Sequence, residues 1–305
     1  HDRDRGDERE HHPGRDQPPG TADEGADDQP DPDDHQGRGE HRDGRHVEDV
    51  GPVEGEEQAD ALLLPLPVEK TVSYGRGTCG GPKAIVDASM QIETFDEEML
   101  VEFADAPRLF TLPPPQVDSE IEDCLTNIRN YVRPRRERFI LAVGGEHTVT
   151  HGLMNGLLDD PAEATVVQID AHADLIDELD GHRWSHGTVM RRLWEQGCRL
   201  VQIGIRSLSS EEHRFLADAE RITTYYAHRM DEQWPEVLET LRSLEGQVYL
   251  TIDVDGLDPS IIPSTGTPLP DGLSWAQAIG VIRALTHGSR CRLIGADIVE
   301  FVPSP

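Results

Sequence analysis

The chain is predicted to be an α/β protein built on a mostly parallel sheet with helices on both faces. From about residue 59 onward, short runs rich in β-branched and apolar residues alternate with amphipathic stretches of helical length, the pattern of strand–helix units. The runs are almost continuously apolar, as strands covered on both sides must be. Clusters of Asp and His stand at the ends of several runs, where open α/β sheets gather their ligands.

Taken in order, the first strand is ALLLPLP from Ala61, followed by a helix over Pro82 to Met90. The Pro-rich TLPPPQ, Thr111 to Gln116, reads as a surface connection leading to a helix over Ser119 to Tyr131. FILAVGG from Phe139 is the next strand, then a helix over Thr148 to Leu158, the strand TVVQIDA from Thr165 and a helix over His186 to Gln196. The strand LVQIGI from Leu200 leads into a helix over Glu211 to Asp218, with Ser209 placed to cap it. ITTYYA from Ile222, a helix over Glu232 to Leu244 and VYLTIDV from Val248 continue the alternation. Ser274 caps a helix reaching Thr286, and RLIGADIV from Arg292 is the last strand.

Composition divides the chain. Residues 1–60 hold 21 acidic against 7 basic side chains and no Phe, Trp or Tyr. Such a segment cannot bury enough apolar surface to offset its ordering entropy, so residues 1–57 are expected to be a disordered, low-complexity acidic tail and 58–305 the folded domain. The formal net charge of −31 repels polyanions, which argues against nucleic acid and anionic membrane surfaces and favours a cationic small molecule. No apolar run is long enough to span a bilayer and no leader pattern opens the chain, so the expected location is the cytoplasm. Cys79, Cys124, Cys198 and Cys291 are widely spaced without a CxxC pair, which reads as buried thiols in a reducing compartment.

Three clusters carry chemistry: His147 in GGEH, Asp170, His172 and Asp174 in DAHAD, and Asp253 and Asp255 in DVD. In extended chain, alternate side chains share a face, so Asp170, His172 and Asp174 converge, as do Asp253 and Asp255. Four carboxylates drawn together repel one another unless cations lie between them. The set suits two divalent metals, and oxygen and imidazole donors without thiolate favour Mn²⁺, with Zn²⁺, Co²⁺ and Fe²⁺ as alternatives.

These motifs, with VEKTVSYGRGTCGGPKAI from Val68, SHGTVMRR from Ser185, STGTPLPDGLSW from Ser264 and ADIVEF from Ala296, resemble those of the ureohydrolase family of arginases and agmatinases, the agmatinase branch in particular. The resemblance implies a three-layer α/β/α fold around an eight-stranded parallel sheet, two Mn²⁺ ions per subunit, and hydrolysis of agmatine to urea and putrescine. It implies that His147, Asp170, Asp174 and Asp253 hold one ion and His172, Asp170, Asp253 and Asp255 the other. His186 matches the family's proton-shuttling histidine and Glu300 its guanidinium-binding glutamate, whose two oxygens fit a forked N–H donor. Trimers or hexamers are expected. The acids after DAHAD, Asp177, Glu178 and Asp180, would attract an ammonium tail and repel a carboxylate, with Asp177 and Glu178 expected to touch substrate. Arginase, guanidinobutyrase and formimidoylglutamase activities are the alternatives. Family members continue into a further helix after the last strand, so the domain is expected to lack it, leaving an impaired relative as another alternative.

Overall fold

The computed structural model describes residues 55–102 and 108–303. The stretch expected to form the acidic tail lies outside the described residues up to Glu54, and Glu56–Gln58 form a short 3-10 turn. In chain order the elements are β1 (Ala61–Leu66), α1 (Gly81–Ser89), β2 (Phe95–Asp96), β3 (Val101–Glu102), β4 (Leu109–Thr111), α2 (Ile121–Val132), β5 (Phe139–Gly144), α3 (Val149–Leu157) and β6 (Ala164–Ile169). There follow α4 (Val189–Glu195), β7 (Arg199–Ile205), α5 (Ser210–Asp218), β8 (Ile222–Tyr226), α6 (Met230–Ser243), β9 (Glu245–Asp253), α7 (Trp275–Thr286) and β10 (Arg290–Val299).

Eight strands form one sheet in the order β4-β1-β5-β10-β9-β6-β7-β8, and every pairing within it is parallel. The apolar runs mark all of these strands except β4. Three residues long and at the edge, β4 pairs only with Ala61–Leu63, too short a stretch for periodicity to register. It takes Thr111 from what sequence reading treated as connection. The two-residue strands β2 and β3, which pair antiparallel, leave no sequence trace either.

Alternation of side chains across each strand builds two apolar layers. Val166, Leu200 and Tyr249 point to the face covered by Leu125, Ile128, Leu153, Met154 and Leu193 of α2, α3 and α4. Their neighbours Val167, Val201, Val248 and Leu250 point to the opposite face, under Val237, Leu241, Val281 and Leu285 of α6 and α7. Full burial of each such side chain contributes about 1.5–3 kcal/mol. Among the described residues no helix is long and apolar enough to cross a membrane. The four cysteines are free; Cys124 and Cys198 are buried as expected, but Cys79 is exposed.

Both expected caps form. The Ser209 side chain accepts from the Glu212 amide at the start of α5, and that of Ser274 from the Gln277 amide at the start of α7, each closing a capping box. Ser274→Ala is expected to cost about 1 kcal/mol, seen as a fall in Tm of about 2–4 °C; an unchanged melting curve would show that the cap contributes nothing. The helix expected from His186 begins as a 3-10 turn, His186–Thr188, before α4.

Candidate metal centre

The site lies at the carboxyl ends of β5, β10, β9 and β6, four neighbours at the middle of the sheet. His147 follows β5, Asp170 follows β6, Asp253 ends β9 with Asp255 in the turn after it, and Glu300 follows β10. Parallel strands in register deliver their next residues to one rim, so four segments distant in sequence meet there. Gly256 makes the approach possible, because a Cβ at that position would lie 2.6 Å from the amide nitrogen of Asp170. Asp174 and Glu300 both hold left-handed backbone, at φ 54° and 62°, a conformation that costs non-glycine residues of order 1–3 kcal/mol and gathers at functional sites.

Two triads of ligand atoms form, His147–Asp170–Asp253 and Asp170–His172–Asp255, with the atoms of each within 4.8 Å of one another. Asp170 belongs to both. His147 Nδ1 stands 3.2 Å from Asp170, 3.0 Å from Asp174 and 3.6 Å from Asp253, yet it forms no hydrogen bond. Its other nitrogen is committed elsewhere. Thr251 Oγ1 donates to Asp297 at 2.5 Å, so toward His147 Nε2, 2.8 Å away, it is an acceptor. Nε2 therefore carries a proton, which leaves Nδ1 as the nitrogen that faces the three carboxylates and the one free to give up its proton to a cation. Such a nitrogen and anions facing one buried point are the donor set of a cation, and the residues fit a divalent metal.

The electrostatics of the bare protein agree. Burial, with the Asp255, Asp170 and Glu300 carboxylates, pushes the Asp253 carboxyl far up; burial and Asp170 push Asp174 up to about 7. Burial opposes the imidazolium of His172, but its hydrogen bonds to the Asp170 and Asp255 carboxylates override it and raise its pKa to about 11. Protons are thus held where cations would otherwise neutralise the cluster.

Beneath the ligands runs a row of polar side chains that sequence reading missed. Register pairs Asp297 with Thr251, Thr251 with Gln168, Gln168 with Gln202, and Gln202 with Thr224. Thr224 Oγ1 donates to Gln202, Gln202 to Gln168 at 2.7 Å, and Gln168 Nε2 to Asp170 Oδ2 at 2.7 Å. On the other side, the Tyr249 and Thr150 hydroxyls donate to Asp297 Oδ2. The signal was present: β6, β9 and β10 each carry a polar residue in an otherwise apolar run near the carboxyl end, in VQID, LTID and ADIV.

A cavity of about 260 Å³ opens above this centre. His147, His172, Asp174, Asp253, Asp255, His186 and Glu300 all line it, so sequence-predicted ligands and both predicted catalytic residues share one space. Glu300 Oε1 accepts from the His147 amide at 2.7 Å, and burial raises its carboxyl to about 8. Burial holds the His186 imidazole below its ordinary pKa, against the pull of the Glu146 carboxylate.

The loop after DAHAD holds the two acids expected to touch substrate outside the cavity. The Asp177 carboxylate is engaged by Arg192 at 2.6 Å and Arg183 at 3.4 Å, and neither Asp177 nor Glu178 lines the cavity. From that loop the lining residues are the apolar Ile176 and Leu179. A buried cation, Arg192 at 2% exposure, needs a counter-charge, and Asp177 supplies it. The acid that lines the cavity instead is Glu212, the capping glutamate of α5, which also accepts from the Leu175 amide. Its capping role hid it in the sequence.

Residues 59–305 match the family model described as Arginase family. The chain is 34% identical over 255 residues to an N(1)-aminopropylagmatine ureohydrolase from Synechocystis sp., covering 80% of this chain and 82% of that protein. It is 31% identical over 245 residues to an agmatinase from Pyrococcus horikoshii, covering 79% and 83%. The solved structure of the agmatine ureohydrolase of Thermoplasma volcanium superposes with a TM-score of 0.72 at 25% identity, covering 82% of this chain and 84% of that one.

Proposed function

This chain belongs to the arginase family, and from that premise we propose that it hydrolyses the guanidinium group of agmatine to urea and putrescine with two Mn²⁺ ions as cofactor. The observation that carries the reading is the convergence of two ligand triads sharing Asp170 with Glu300 and His186 around one cavity. His147, Asp170, Asp174 and Asp253 would hold one cation and His172, Asp170, Asp253 and Asp255 the other. When bound, such a pair acidifies water toward neutral pH and supplies a nucleophile that neutral water is not.

The chain's own groups do the rest. Glu300, locked to the His147 amide, offers two carboxylate oxygens to the forked N–H groups of the guanidinium and fixes the carbon in place. His186 holds a proton for the departing amine, which cannot leave as an amide anion. Ile176, Leu179 and Leu208 give the cavity an apolar wall suited to a polymethylene chain, and Glu212 gives it a carboxylate suited to a terminal ammonium.

A second reading, N(1)-aminopropylagmatine as substrate, is favoured by the Synechocystis relative. Urea release by the Mn²⁺-loaded chain should be measured with agmatine, N(1)-aminopropylagmatine, arginine and 4-guanidinobutanoate. We expect agmatine to exceed arginine by at least about 10-fold in kcat/KM, the worth of roughly one charge contact. Preference for the aminopropyl compound selects the second reading, and absence of urea from all four overturns both.

A further inference from the structure

The segment between β1 and α1, which the sequence marks only as part of a matching motif, folds over the cavity and touches His186 directly. Glu146, next to the ligand His147 and fully buried, anchors it. Glu146 Oε2 accepts from the amides of Lys70 at 2.5 Å and Thr71 at 2.7 Å, and Oε1 accepts from the hydroxyls of Thr71 at 3.0 Å and Thr148 at 2.8 Å. Four donors converge on one carboxylate, so the direction of each bond is settled: the Thr71 hydroxyl gives its single proton to Glu146.

That assignment propagates. Thr71 Oγ1 has only acceptor capacity left, and it meets the His186 amide at 3.2 Å and His186 Nδ1 at 3.3 Å. Nδ1 must therefore carry a proton, since a lone pair there would face the oxygen's own. His186 Nε2, 3.1 Å from Ser73 Oγ, is left as the nitrogen that exchanges a proton on the cavity side. We propose that Thr71 and Glu146 are positioning residues that fix the tautomer and orientation of His186, so that Nε2 alone passes the proton. This rests on the role given to His186 in the proposed reaction. It also accounts for a buried carboxylate that neither the ligand set nor substrate contact explains.

Reversal of the relay follows from the same logic. In Glu146→Gln the amide oxygen must take the two backbone donors, which turns the amide NH₂ toward Thr71. The hydroxyl then accepts from the amide and donates to His186 Nδ1, favouring the opposite tautomer with the proton on Nε2.

The test combines spectroscopy with kinetics on the full chain. Histidine-selective ¹⁵N labelling of the Zn²⁺-loaded protein, which is diamagnetic, reports the tautomer, with His186 assigned by the resonances lost in His186→Asn. We expect the proton on Nδ1 in the wild type and a shift toward Nε2 in Glu146→Gln. Thr71→Val, nearly isosteric but without the hydroxyl, should lower kcat by roughly 10²-fold, the low end of what a positioned proton donor contributes, with KM and metal content little changed; Thr71→Ser should restore it. A proton on Nε2 in the wild type, or Thr71→Val with unaltered kcat, overturns the proposal. If the wild type releases urea from no guanidino compound, the functional reading fails while the tautomer measurement still decides the relay.

Discussion

Asp170→Asn is expected to empty both cation positions and to lower urea release by about 10³-fold or more, the scale on which loss of a preorganised electrostatic element is felt. Asp170 belongs to both ligand triads, and its two oxygens are also committed to protein donors: Oδ1 accepts from the His172 amide at 2.6 Å and Oδ2 from Gln168 at 2.7 Å. An asparagine amide can satisfy one of these donors but must turn its own NH₂ toward the other. It therefore loses the charge common to both triads and disrupts the support on one side. Asp255→Asn is the control, because Asp255 joins only the His172 triad; it should leave the His147 position loaded. Metal content per chain by mass spectrometry, read beside urea release, separates the two. Retention of one tightly held ion in Asp170→Asn would mean that Asp170 does not bridge.

The contrast between these two aspartates shows what a sequence can and cannot display. Strand alternation places Asp170, His172 and Asp174 on one face, and near-continuous apolar runs locate the strands whose ends meet. For the candidate ligands, residue type and short spacing are what the sequence displays. Which carboxylate joins both triads depends on how β6 and β9 align across the sheet, a fact of register between segments about 80 residues apart and therefore absent from any local pattern. The same applies to Gln168, Gln202, Thr251 and Asp297, each an isolated polar residue in an apolar run until pairing brings them into one row.

Asp177 is placed by a contact of another kind. Its charge was legible, but its partner was not: Arg192 lies on α4 with a side chain that the sequence gives no cause to bury. Glu146, as the pleated neighbour of His147, points away from the candidate metal positions and reaches the segment holding Thr71.

Removal of metal should destabilise the fold as well as stop turnover. Asp170, Asp174, Asp253 and Asp255 are each no more than 6% exposed, and buried carboxylates without counter-charge are costly. Chelation leaves that cost to protons and to the imidazoliums of His147 and His172, whose raised pKa values record how incompletely the cluster is neutralised. A ligand present at about 1,000 times its Kd adds about 4 kcal/mol to a folded state that alone binds it. For a folded domain of this size, where 1 kcal/mol moves Tm by about 2–4 °C, saturation with Mn²⁺ should raise the melting temperature of stripped protein by about 8–16 °C. The increase must depend on metal concentration and disappear in Asp170→Asn, which lacks the carboxylate common to both ligand triads. A stripped protein that melts where the loaded one does would mean that the carboxylates are satisfied without cations, and the centre derived from their convergence would have to be abandoned.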